Sequence, residues 1–173
     1  MSIYSAVETS LRSCIEDILD VIGITDVPVI YSHQNGLEPT STYCILNVLG
    51  HTQIGRMNES TYLMKDEDVL ESITQYSVQT QISFVGANAD GVASDFKHAL
   101  SNNRSCIDVT QRNNFGILNK SQLRRIPQKR ETQWVAMSNM DIDFSFAVRT
   151  RQSYDWVEFI TLNGEVIRIW NDE

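Results

Sequence analysis

The chain has 173 residues, a usual length for one domain and enough for one real core, so residues 1–173 are expected to fold as a single domain. Its hydrophobic content of 42% is ordinary for a globular protein. The formal charge of −8 argues against a monomer that coats nucleic acid, because affinity for DNA comes mainly from Lys and Arg on phosphates.

Ser5 to Ile22 reads as a helix, with Val7, Leu11, Cys14, Ile15, Ile18, Leu19 and Ile22 on one apolar stripe. Gly23 fits just past its end. Val27 to Tyr31 is a short extended piece, Gln34 to Ser41 a loop, and Tyr43 to Leu49 a strand. Gly50 to Lys65 reads as a ragged strand with a turn near Asn58. The acidic group Asp66-Glu67-Asp68, with Glu71 near it, reads as a solvated bend. Tyr76, Val78, Thr80, Ile82 and Phe84 then alternate with Gln75, Ser77, Gln79, Gln81 and Ser83, which is a half-buried strand with a neutral polar face.

Ala89 to Asn102 reads as a second helix capped by Asn88, and Ser101 to Asn119 as a bent helical turn and a loop. A short strand starts at Ile117-Leu118. Lys120, Arg124, Arg125, Lys129 and Arg130 crowd the next stretch around Pro127. Met140, Ile142, Phe144, Phe146 and Val148 alternate with polar residues along a long strand. Val157 to Leu162, Asn163-Gly164 and Glu165 to Trp170 make a hairpin, Asn-Gly being the strongest short hairpin signal. Helix, strands, helix, strands favours an α+β fold: a mostly antiparallel sheet with two main helices packed on one face.

The junction ISFVGANADGVA, Ile82 to Ala93, has a strand, glycines and a helix, the ingredients of a phosphate loop. Gly86 and Gly91 keep the Walker spacing, but Val92 and Ala93 stand where Lys and Ser/Thr are needed for the outer phosphates and Mg²⁺. Asp90 also places negative charge where a phosphate would sit, so the stretch reads as a strand-to-helix turn. Cys14, Cys44 and Cys106 lie far apart and read as reduced, buried thiols in a cytosolic setting. The N-terminus has no signal-peptide pattern, and no apolar run is long enough to span a membrane.

His33, His51 and His98 have no HExxH pattern or neighbouring Cys at ligand spacing, and no cofactor or metal is expected. Asp141 and Asp143 share one face of a strand; they would suit a divalent cation, or the solvated or partner-facing side of that strand. The Lys120–Arg130 stretch contains neither an acid nor an aromatic, so pairing with acids on a neighbouring subunit fits better than stacking on a single strand.

The chain resembles the tail-terminator and neck-terminator proteins of tailed bacteriophages. The resemblance rests on the helix ending at Ile22-Gly23, the strand YSVQTQISFVG, the helix ANADGVASDFKHAL, Phe115-Gly116-Ile117, the run RRIPQKRETQW, the strand MDIDFSF and WVEFITLNG. It covers roughly residues 5 to 165, through diffuse motifs rather than invariant chemistry. It implies a structural virion protein, assembled in the host cytoplasm, that forms a six-fold ring at the head-proximal end of the tail. The implied partners are other copies of the chain, the tail tube protein and the head-tail connector, with DNA passing through unbound. Subunit contacts are expected between Lys120, Arg124, Arg125, Lys129, Arg130 and the acids Asp66, Glu67, Asp68, Glu71. A metal-dependent hydrolase using Asp141 and Asp143, and a monomeric binding module, are the alternatives.

Overall fold

The N-terminal stripe folds as α1 (Ile3–Val21), and Leu11, Cys14, Ile15 and Ile18 on it are fully buried. The helix stops in a Schellman closure: Gly23, at φ +77°, donates to the Asp20 carbonyl at 3.0 Å, and Ile24 donates to the Leu19 carbonyl at 2.9 Å. The computed structural model describes residues 3–64, 67–130, 132–153, 159–162 and 165–168, with side chains over 5–58, 71–129 and 132–150.

After α1 come β1 (Val29–Tyr31), β2 (Tyr43–Met64), β3 (Glu67–Val85), α2 (Ala89–Asn102), α3 (Arg104–Arg112), β4 (Phe115–Lys120), β5 (Arg124–Arg125), β6 (Gln128–Arg130), β7 (Gln133–Val135), β8 (Met137–Ser153), β9 (Phe159–Leu162) and β10 (Glu165–Arg168). The fold is α+β with a mostly antiparallel sheet. Six strands form the main sheet in the order β1-β2-β3-β8-β4, with β5 also pairing β8. β1 pairs parallel with β2, with Val29 opposite Cys44. Packing divides the chain into two compact units, Met1–Ile54 with Tyr76–Ala147, and Gly55–Gln75 with Val148–Glu173. The second holds the β9–β10 hairpin, whose closing pair Leu162↔Glu165 flanks Asn163-Gly164. The outer ends of the expected hairpin, at Val157, Glu158, Ile169 and Trp170, lie outside the described residues.

The core of the first unit lies between the helices and one face of its sheet. Val78, Ile82 and Phe84 of β3 and Met140, Ile142 and Phe144 of β8 are fully buried. Phe96 of α2 meets Phe84 with ring centroids 5.4 Å apart, and Phe115 of β4 meets Phe144 at 5.9 Å. Thr80 sits in the same apolar row; its hydroxyl donates to the Ile142 carbonyl at 2.8 Å, which satisfies it without water. Tyr76 is only half-buried and stacks on Phe146 at 5.4 Å.

Four local readings change. β2 runs unbroken through Asn58 to Met64, so there is no turn there. β3 begins at Glu67, so Glu67 and Asp68 are strand residues, and Glu71 is buried rather than solvated; pairing into a sheet overrides the poor strand propensity of acids. Asp66 lies outside the described residues. Residues 104–112 form a third helix, with the Asn103 side chain accepting from Ser105 N–H at 3.0 Å. Asn88 holds the cap position of α2 but makes no side-chain cap bond.

Two stability outcomes follow from this core. Phe144→Ala, at a site with no exposure, is expected to cost about 3–5 kcal/mol in urea unfolding; a neutral effect would place that face outside the core. The buried thiols give a pH signature. Burial, helped by the charge of Asp17, pushes Cys14 up to about 12, and burial pushes Cys44 up further. Their pKa values rise on folding, so their contribution is complete below the unfolded thiol value of about 8.5 and is lost as pH climbs toward 12. Cys14→Ala should therefore flatten the fall in stability above about pH 9 relative to wild type.

Candidate functional site

The basic stretch sits along the β4–β5 edge of the main sheet. β4 pairs antiparallel with β8 from Phe115↔Phe146 to Lys120↔Ile142. The Ser121 N–H then donates to the Asp141 carbonyl at 2.8 Å, and the chain rejoins β8 at Arg124↔Asn139 and Arg125↔Ser138. That register carries on without a slip into β6–β7, through Gln128↔Val135 and Lys129↔Trp134 to Arg130↔Gln133. The two pieces are therefore one ribbon with an interruption at Pro127 and Ala136. Ile126 N–H donates to the Met137 carbonyl at 2.8 Å, so residues 127 and 136 oppose each other with their backbone polar groups turned away from one another. Proline, with no N–H, suits that position, and the Ala136 carbonyl accepts from Gly86 N–H at 3.0 Å.

The cations on this edge are largely engaged within the chain. The Lys120 ammonium donates to the Leu100 carbonyl and the Ser101 hydroxyl, both at 3.1 Å, near the negative end of the α2 dipole. Arg124 pairs with Asp141 and donates to Asn139 at 3.2 Å. Arg125 pairs with Asp90 at 3.1 Å, and the other Asp90 oxygen accepts from the buried Ser138 hydroxyl. Both arginine pairs are half-exposed, so each contributes only about 0–1 kcal/mol, and their larger effect is to hold the ribbon against β8 and α2. Lys129 is exposed on the ribbon, and the Arg130 side chain lies outside the described residues. Of the expected acidic partners, Glu67 and Asp68 are placed by backbone alone and Glu71 is buried.

An aromatic residue that the Lys120–Arg130 window leaves out joins this edge. Trp134 stands directly across from Lys129 and is 70% exposed. The signal was in the sequence, since pairing Arg130 with Gln133 brings Trp134 back beside Lys129, but Pro127 hides the strand pattern.

The other candidate residues have bland settings. Asp141 accepts from Arg124 and from the Gln81 amide at 3.3 Å, and Asp143 from the Asn119 amide at 3.5 Å. A cation at Asp141 would have to displace a guanidinium already in place. Among the described residues no group of three or more His, Cys, Asp or Glu is placed to hold a metal. His51 packs edge-on against Tyr76 at 5.6 Å, and His98 is within 3.2 Å of the Asn102 amide on α2. In the glycine junction, Gly86 has φ +125°, and a Cβ there would lie 2.7 Å from Thr42 Cα. Glycine is needed for that close crossing. The loop N–H groups of Gly86 and Asn88 already donate to Ala136 and Thr42.

Two measurements check this picture. Asp90→Ala leaves the buried Ser138 hydroxyl without its acceptor and should cost about 1–3 kcal/mol, whereas Arg124→Met should cost less than about 1 kcal/mol in the same unfolding assay. ATP and GTP titrated by calorimetry should show no saturable binding at the Gly86–Gly91 junction; binding abolished by a bulky substitution at Gly91 would overturn that reading.

Among the described residues no helix is long and apolar enough to cross a membrane. No curated protein matches the chain. Residues 5–169 match the family described as phage neck terminator protein. That match takes in α1, the main sheet, the basic edge and the β9–β10 hairpin, and the chain belongs to the phage neck terminator protein family.

Proposed function

We propose that this chain is a structural virion protein that works as one terminator domain. It assembles in the host cytoplasm into a six-fold ring at the head-proximal end of the tail, ends growth of the tail tube and joins the tail to the head connector. The observation that carries this reading is the family match across residues 5–169. The arrangement of the first unit supports it: a head-to-tail ring needs two unlike patches on each copy, and the basic β4–β5 edge lies across the sheet from the β1 edge. The formal charge of −8 suits a channel that DNA passes through without long-lived phosphate contacts.

Lys120, Arg124, Arg125, Lys129 and Arg130 are the proposed basic side of the seam, with Asp66, Glu67 and Asp68 as acidic partners; Glu71, expected among them, is buried within the chain. Lys129 is the cleanest probe of that seam, because reversing Arg124 or Arg125 would also set like charges beside Asp141 and Asp90. Particles lacking this protein are expected to yield tails with uncontrolled tube length that do not join heads, and native mass spectrometry of the protein or of isolated necks is expected to give a closed homo-oligomer. Normal tail length and joining in its absence would refute the assignment.

A further inference from the structure

The β6–β7 ribbon leaves the main sheet at Pro127 and is a two-stranded sheet of its own. Such a ribbon is marginally stable alone in water. Gln128, Lys129, Gln133 and Trp134 are all exposed, so none of the described residues covers its outer part. An indole left 70% exposed and directly opposite a lysine combines residue types that anchor protein interfaces. Residues 120–135 carry five bases and one acid, a net +4, so the rest of the chain carries −12. Another copy of the same chain is a partner that matches the ribbon in charge.

A complementary recess is present on the β1 side of the same unit. Where α1 turns into β1, Leu19, Ile24 and Val27 floor a pocket of about 330 Å³ whose rim carries Glu16, Asp20 and Asp26. No basic residue lines it. Glu16 is already paired with Arg12 at 2.8 Å, while Asp20 and Asp26 are exposed. The recess adjoins β1, the strand at the edge opposite β4 and β5. An exposed aromatic-and-cation knob, on a ribbon that continues β5 and β8 past the main sheet, and an apolar, acid-rimmed recess beside β1 are thus two unlike patches of one unit, the arrangement that lets copies join head to tail.

We infer that Trp134 of one copy seats in the recess between α1 and β1 of the next, with Lys129 set against Asp20 and Asp26. This inference rests on the ring reading above and locates its seam, moving the anchor from the arginines held within the chain to the ribbon tip.

The test compares wild type, Trp134→Ala, Lys129→Glu, Asp20→Lys/Asp26→Lys, and the last two combined. Self-association is read by sedimentation and native mass spectrometry in free solution and, where the free chain is monomeric, as occupancy of tails lacking their terminator. Trp134→Ala should weaken association about 30-fold or more, with the unfolding midpoint unchanged because the indole is exposed. Lys129→Glu and the double acid reversal should each weaken assembly, and combining them should restore it. Wild-type rings together with Trp134→Ala and acid-reversed chains that assemble equally well would overturn this seam while leaving the ring reading intact. A wild-type chain monomeric both in solution and on tails would overturn the ring reading and this inference with it.

Discussion

The first unit depends on the register of β8. Its apolar row, Met140, Ile142, Phe144 and Phe146, faces the helices, while Asp141 and Asp143 face away. A slip of one residue would send both carboxylates into the core and the phenylalanines into water, so the register is strongly specified. β3 is locked to it by the Thr80 hydroxyl on the Ile142 carbonyl, and β4 by the edge-on Phe115–Phe144 contact. With the register set, the outward residues have set addresses: Asp141 beside Arg124, and Ser138 beneath Asp90.

Those addresses determine what the basic edge can offer a neighbour. A basic run in a sequence invites the reading that every cation in it is available. Here Lys120 is drawn to the end of α2, Arg124 and Arg125 to acids on β8 and α2, and Lys129 is exposed on the ribbon. The intramolecular pairs are individually weak, but together they orient a ribbon that leaves the sheet at Pro127. Proline suits that position because an N–H there would point away from the partner strand, and the Ala136 carbonyl, turned the other way, accepts from Gly86. Gly86, read from sequence only as a turn, thus ties the base of the ribbon to the glycine junction.

The parts legible in the sequence were those where one face is buried and the other is not. The stripe of α1, the alternation of Tyr76 to Phe84 and that of Met140 to Phe146 each carry the period of the element they form. α2 was found at its observed limits, Ala89 and Asn102, for the same reason. β2 was illegible beyond Leu49 because Thr52 to Asn58 are exposed on both faces, so no buried side imposes a period. α3 was weak because only Cys106, Val109 and Thr110 of its nine residues are buried. The β5–β6 strands were hidden by Pro127, and with them the return of Trp134 beside Lys129. Intrachain neutralisation of Arg124 and Arg125 depends on partners 17 and 35 positions away in sequence, Asp141 and Asp90, which no local pattern reveals.

The charge of the chain bears on how any assembly of it could hold together. Copies at −8 repel one another, but at physiological salt that repulsion is screened beyond about 8 Å. Contacts inside that range therefore decide the outcome, not the total charge. Exposed ion pairs are too weak to supply the strength of a seam, although they discriminate well between registers, since a mismatch sets like charges together. Strength has to come from desolvated apolar contact, and on the β4–β5 side of the first unit Trp134 is the largest apolar side chain available for it. A seam built this way divides its tasks: the indole supplies affinity and the surrounding charges supply direction. On the basic edge itself, Lys120, Arg124 and Arg125 are already engaged by acids and carbonyls of the same chain, which leaves them less available to phosphates or other anions.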